Sequence, residues 1–346
     1  MKSIRRIYRW ILISLIFQVA FLSYINYIYI PGRGKVQATM LETGTTGQKS
    51  LSVVELPAGA EEVKVSFDGK YAAYKYNETV IIVNIDKNEN IKELKPDNGE
   101  FSCFSWIPDR EMLIYAQKDV NGHSGQVLIS TYDIGADLDR SYPIIKKLPK
   151  GSQIIDIELS PLTNIVCPII KTSEDKVQVY KFDIMDNLTY VMNVNISTII
   201  KETMYTDNII YQQPGKKINI LNGDKMKKKR LPVDEPDLLL DVDSNDNIYV
   251  ALTEESGKAI MIYYGKSDQN AADWNIIKLE SPCEPENIFI TSMGRICLVD
   301  RLSNTIYSID YESKTAYSGE LIDVLDNYVV TLENNKLVLQ VLEGCN

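Results

Sequence analysis

The pattern of apolar and polar positions divides the chain into three unlike stretches. From Trp10 to Ile30 the run WILISLIFQVAFLSYINYIYI carries no charge, and only Gln18, Asn26 and two serines interrupt it. Wound as a helix, it spans roughly 31 Å, about the hydrocarbon thickness of a bilayer. Residues 31–49 are rich in Gly, Thr and Gln and lack any period, which predicts a linker with a reach of about 25 Å. From residue 50 onward helical periodicity is almost absent. Short runs of β-branched and aromatic residues alternate with Asp, Asn, Gly and Pro, the pattern of an all-β domain over 50–346.

Within that domain the runs group into a unit: apolar strand, tight turn, second apolar strand, loop, third strand, then a more polar strand. The first copy is EEVKVS-FDG-KYAAYKYNETVIIVNIDKNENIKEL. Tight turns fall near Asp68, Asp109, Leu162, Asp207, Asn245, Gly294 and Asp326, at intervals of roughly 30–50 residues. Four strands repeated at about this period predict a β-propeller of seven four-stranded blades, with six or eight blades or a β-sandwich pair as the alternatives. The last unit has room for three strands only. Residues 51–56 (LSVVEL) are expected to supply the fourth, closing the ring and covering its edges.

The first turn, Ser66-Phe67-Asp68-Gly69-Lys70-Tyr71-Ala72-Ala73-Tyr74, resembles the S-P-D-G-K-x-I-A-Y element of TolB-type propeller repeats, shared with the propeller of dipeptidyl-peptidase IV-like enzymes, with Phe67 in place of the usual proline. Ser105-Trp106-Ile107-Pro108-Asp109 and Leu159-Ser160-Pro161 look like degenerate copies. Asp243 to Val250 resembles an NHL-type element. The resemblance is sharp over about a third of the domain and implies a fold, not an activity. The resemblance is therefore expected to stop at the propeller, without the hydrolase domain of the peptidase relatives, and no G-x-S-x-G elbow occurs in these residues.

Charge orients the apolar helix. Lys2, Arg5, Arg6 and Arg9 precede it, so residues 1–9 are expected to be cytoplasmic, 10–30 to span the membrane once, and the β domain to lie outside. Val36-Gln37-Ala38 offers a signal-peptidase pattern, but the run exceeds the 7–15 residues of a signal-peptide core, so a retained anchor is expected. Nine residues are too few for a cytoplasmic domain. The formal charge of −10 argues against a general nucleic-acid binder.

Catalytic chemistry is sparse. One histidine, His123, rules out a multi-histidine metal site. Cys103, Cys167 and Cys297 sit in apolar runs and read as small buried hydrophobes, with one bridge from Cys283 to Cys297 or Cys345 as an alternative. The acidic run from Asp241 to Asp246 lacks the glycine and later glutamate of a calcium loop and reads as a turn. Sequons at Asn77, Asn187 and Asn195 matter only in a eukaryotic secretory pathway. No cofactor is expected.

Two segments are candidate contact sites. The loop around Asp119, Asn121 and His123 joins the second and third strands of blade 2, on a face propellers often use for ligands. The run Lys225, Lys227, Lys228, Lys229 and Arg230 is the one strong basic cluster of an acidic domain. It reads either as a patch for an anionic partner or as edge lysines guarding the outer strand of blade 4. Together these features predict a non-enzymatic, membrane-anchored scaffold for a surface protein or envelope polymer. A glycan-active enzyme using carboxylates at the propeller axis, or an assembly subunit docking through Gln18 and Asn26, are the rival expectations.

Overall fold

The computed structural model describes residues 51–344 apart from 97–98, 120–124, 224 and 234–237, together with Gln18, Phe21 and Leu22. Those last three residues are helical, but among the described residues no helix is long and apolar enough to cross a membrane. The rest of the expected anchor, with segments 1–9 and 31–49, lies outside the described residues.

The described strands form seven sheets. Their innermost strands are Glu61–Val65, Gly99–Trp106, Gln153–Ser160, Ile199–Glu202, Leu238–Val242, Ile288–Ile290 and Glu320–Val324 for blades 1 to 7. Inner strands neighbour one another from blade 7 through blade 1 to blade 6, and blades 6 and 7 share a core cluster and turn contacts, so the sheets stand around one axis as a propeller. Burial follows radial position. The second strands of blades 3 and 4, Ile165–Lys171 and Asn208–Gln212, are buried almost throughout. Both of their faces are covered by neighbouring blades, which is why they read as continuous apolar runs. The outer strands Leu138–Ser141 and Lys227–Arg230 are exposed at every position.

The ring closes as the sequence led us to expect. Leu51–Glu55 pairs antiparallel with Lys336–Val341, Val53 opposite Val338, and becomes the fourth strand of blade 7. The Leu56 N–H continues the ladder to the Asn335 carbonyl at 2.8 Å. Val54 turns inward and packs in a cluster with Leu337, Leu339, Ala72 and Val83, residues drawn from both ends of the domain.

The strands not picked out individually in the sequence are mostly inner or outer ones, such as Ile199–Glu202, Leu238–Val242, Leu188–Asn195 and Asn275–Cys283. In blade 2 the fourth strand is broken into Leu138–Ser141 and Ile145–Leu148, both paired with Gly125–Asp133. The break falls at Pro143, which has no N–H for a ladder bond. Cys167 and Cys297 are fully buried and Cys103 half-buried. Cys283 and Cys297 are free thiols, so the bridge between them is not formed, and Cys345 lies outside the described residues.

The seven tight turns between first and second strands form a chain of contacts around one face. In blade 1, Asp68 accepts from the Ser66 hydroxyl and the Lys70 N–H, and the Ser66 oxygen accepts from Tyr71 N–H. Gly69 sits at φ +73°, and a Cβ there would meet the Tyr328 ring of blade 7 at 2.8 Å, so glycine is required twice over. Lys70 reaches Glu111 of blade 2 at 2.6 Å. Arg110 reaches the Pro161 carbonyl of blade 3, and the Ser160 hydroxyl the Met204 carbonyl of blade 4. Asp246 of blade 5 accepts from the N–H groups of Met204, Tyr205 and Thr206. Ser244 N–H bonds to Ser292 of blade 6, and Asp326 of blade 7 accepts from the Ser292 hydroxyl and Met293 N–H.

The closing register makes two neighbouring valines unequal. Val54 is 1 % exposed and Val53 41 %. Val54→Asp buries an unpaired carboxylate and is expected to cost about 3 kcal/mol or more in urea unfolding, whereas Val53→Asp should cost less than about 1 kcal/mol. Equal effects would mean that this strand is not seated as described.

Candidate functional site

Lys227–Arg230 is the outer strand of blade 4, paired with Asn219–Asn222. Strand alternation sends its side chains to opposite faces. Lys228, opposite Leu221, faces blade 3 and lies over the Tyr211 ring at 5.3 Å. Lys227 and Lys229, opposite Asn222 and Ile220, face blade 5, where Lys229 bonds the Ser267 carbonyl at 2.9 Å. Lys225 stands in the preceding turn, its N–H held by the Asn222 side chain at 3.0 Å.

These lysines wall a cleft of about 620 Å³ between blades 4 and 5. Lys266 and Asp268, in the loop following Ala259–Gly265, approach from blade 5, and Tyr205, Thr206 and Asn245 form its floor. Tyr205 is 59 % exposed. Five lysines line it, of which Lys228 is turned toward blade 3 and the other four face two aspartates. Asp246 turns both its oxygens to the N–H groups of the neighbouring turn and the Thr206 hydroxyl, and the lysines outnumber the aspartates. The cleft is therefore net positive in a chain of net charge −10.

A second charged group lies at the axis. Two residues before the turn, five of the seven inner strands carry a charge: Lys64, Glu158, Lys201, Asp241 and Asp323. Lys201 stands 3.8 Å from Glu158 and 3.1 Å from Asp241, so three consecutive blades join in one ion network. Burial pushes the Glu158 carboxyl up to about 7 against the pull of Lys201, and Glu158 also accepts from the Glu202 N–H at 3.2 Å. Asp241 and Asp323 each accept from the N–H of the following residue at 2.8 Å, and Asp156 does so at 2.9 Å.

Behind the network, Glu202 is 4 % exposed, and among the described residues no nitrogen or oxygen donor reaches its carboxyl. Its polar neighbour is the Cys167 thiol, a weak donor. Burial first, and then the charges of Asp207 and Glu158, hold its carboxyl up to about 8 despite Lys181, which is itself ion-paired with Asp207.

Of the sequence candidates, Asp119 ends the strand Met112–Asp119, opposite Gly99, rather than standing in a loop. Asn121 and His123 lie outside the described residues. The basic run is brought together with Lys266 of the next unit and with Tyr205, about twenty residues earlier in its own unit, both of which sequence reading passed over. The axial charges were accessible in principle: each falls at a fixed offset from a turn already located. The acidic run begins in the inner strand with Asp241, and its remainder from Asp243 is a turn in which Asp243 accepts from the Asn245 and Asn247 N–H groups.

No protein-family model matches the chain, and no curated protein sequence matches it. Solved structures do. The chain is similar to the β-propeller domain of Cps50 (Swd1) from Myceliophteria thermophila, with TM-score 0.52 and 12 % identity over 85 % of this chain and 100 % of that one. Hsv2 of Kluyvelomyces marxianus gives 0.49 and 10 % over 80 % and 89 %, and dipeptidyl peptidase 4 of Porphyromonas gingivalis 0.45 and 11 % over 74 % and 44 %. At 12 % identity the likeness to the Cps50 domain is one of fold: a seven-bladed, all-β propeller.

The Glu202 carboxyl gives a signed pH dependence. Its folded value of about 8 lies above the ordinary 4.5, so the unfolded chain loses this proton first. The group's effect on stability is nil below about pH 4.5, grows more unfavourable as pH rises to about 8, and is constant beyond. Glu202→Gln is expected to match the parent at pH 4.5 and to melt several degrees higher at pH 8.5. A melting difference that is the same at both pH values would contradict a protonated Glu202.

Proposed function

We propose that this chain is a non-enzymatic binding propeller, tethered to a membrane by a helix over 10–30 with its N-terminus cytoplasmic and its propeller outside, that captures an anionic partner between blades 4 and 5. The reading rests on one observation: four lysines, Lys225, Lys227, Lys229 and Lys266, converge on a single inter-blade cleft of an acidic protein. Lysine ammonium groups are compact charges that attract anions without demanding one geometry, and a concave site strengthens their field. The membrane position rests on the uncharged Trp10–Ile30 run and its basic flank. We also read the repeat as TolB-type, because Ser66, Asp68 and Gly69 each have a defined role in the first turn.

A second reading has its own observation. Glu158, its carboxyl raised to about 7, and Asp241 are carboxylates of unequal surroundings near the axis, as glycoside hydrolysis uses. Lys201, however, bonds Asp241 and stands close to Glu158, between the two, where a scissile oxygen would need to lie. The pair serves better as a link across three blades.

The test is crosslinking of the full-length chain at the cell surface. A specific partner should be recovered from the membrane fraction and lost with Lys227→Glu, Lys229→Glu and Lys266→Glu combined. Recovery of no specific partner, or recovery unchanged by the charge reversal, would contradict the reading. Release of sugar from envelope glycans, abolished by Glu158→Gln, would favour the enzyme instead.

A further inference from the structure

Accepting the anionic-partner reading of the cleft, we propose that its ligand is a linear polymer carrying negative charge in its backbone, a phosphodiester-linked polyol or sugar chain, lying along the cleft between the two blades. The first argument is the placement of charge. Lys225, Lys227 and Lys229 stand on the blade 4 wall and Lys266 on the blade 5 wall. A chain whose backbone is charged presents anions to both walls at once. A peptide carries its carboxylates on side chains that alternate in direction, and its uncharged backbone would fill the middle of the cleft. A bilayer surface is too flat to enter a cleft walled by two blades.

The second argument is spacing. Lys227 and Lys229 are two residues apart on one face of a strand, about 6.8 Å along it. A polypeptide covers about 3.4 Å with three backbone bonds, so the six bonds from one phosphorus to the next in an extended glycerol phosphate chain cover about 7 Å. Successive phosphodiesters therefore meet successive lysines.

The third argument is the chemistry of the lining. The cleft contains lysines and no arginine. Arginine would fix a carboxylate or a phosphate in one bidentate geometry, whereas lysine binds phosphate as a point charge and suits a flexible phosphodiester chain. Among the described residues no ion pair joins the ammonium groups of Lys225, Lys227 or Lys266 to a carboxylate. The exposed Tyr205 ring and the amide of Asn245 give the floor an apolar face and hydrogen-bonding capacity for a polyol.

The experiment measures binding of the detergent-purified full chain to four probes: poly(glycerol phosphate), linear polyphosphate, poly-glutamate, and vesicles of phosphatidylglycerol with phosphatidylcholine. The proposal predicts binding to poly(glycerol phosphate) that weakens steeply with salt, with a log–log slope of about −3 for four lysines. Lys227→Gln, Lys229→Gln and Lys266→Gln combined should weaken it at least tenfold and bring the slope near −1. Lys87→Gln with Lys176→Gln, exposed lysines elsewhere, should change neither. Melting temperature and far-ultraviolet circular dichroism of each variant report folding separately from binding. Preference for poly-glutamate would overturn the polymer assignment while leaving an anion-binding cleft. Preference for vesicles would overturn it in favour of a lipid surface. Binding to none of the four would overturn both the polymer and the anionic-partner reading.

Discussion

The structure depends on a single pairing between residues far apart in sequence: Leu51–Glu55 laid against Lys336–Val341. A blade buries its apolar faces only against its two neighbours, and an open row of seven would leave an uncovered face at each end. The pairing makes blade 7 from both ends of the domain, so that no blade is terminal. The chain of turn contacts reinforces this arrangement on one face. Each turn passes a hydrogen bond, an ion pair or a packing contact to the next, from Lys70 and Glu111 through Asp246 and Asp326 to Tyr328 against Gly69.

Closure also explains how such a fold acquires specificity. Backbone geometry repeats from blade to blade, so what distinguishes one inter-blade cleft from the next is the set of side chains on the outer strands and turns. Those positions are free to vary because the core does not use them. Between blades 4 and 5 they are Lys225, Lys227, Lys229 and Lys266 above Tyr205. The inner strands are more constrained. Charges there must be matched across blades, as Glu158, Lys201 and Asp241 are, and burial holds the pKa of the Glu202 carboxyl up where its near donor is the weak Cys167 thiol.

Much of this architecture was legible in the sequence. Second and third strands are covered on both faces, and their runs, such as Ile165–Lys171 and Thr79–Asn84, stand out by apolar continuity. Turns are legible because their chemistry is local: Gly69 and Asp246 adopt positive φ, which Gly, Asn and Asp tolerate. Outer strands such as Leu188–Asn195 are largely solvated and mix polar with apolar residues without a clear alternation, and inner strands such as Ile199–Glu202 are four residues long, too short for a period to show. The site was only half legible. The run from Lys225 to Arg230 is visible as composition, but Lys266 joins it only when blade 5 is placed beside blade 4, and Glu158, Lys201 and Asp241 meet only at the axis.

The most direct test of the account is a covalent one at the closing pair. Val53 and Val338 lie opposite each other on antiparallel strands, where Cα separations of about 4.5–5.5 Å suit a disulfide. In a chain carrying Val53→Cys and Val338→Cys, oxidation should join these two residues within one molecule, identified by peptide mass, and raise the unfolding midpoint. Absence of that bond under oxidising conditions, or its formation only between molecules, would contradict a ring closed by its own ends.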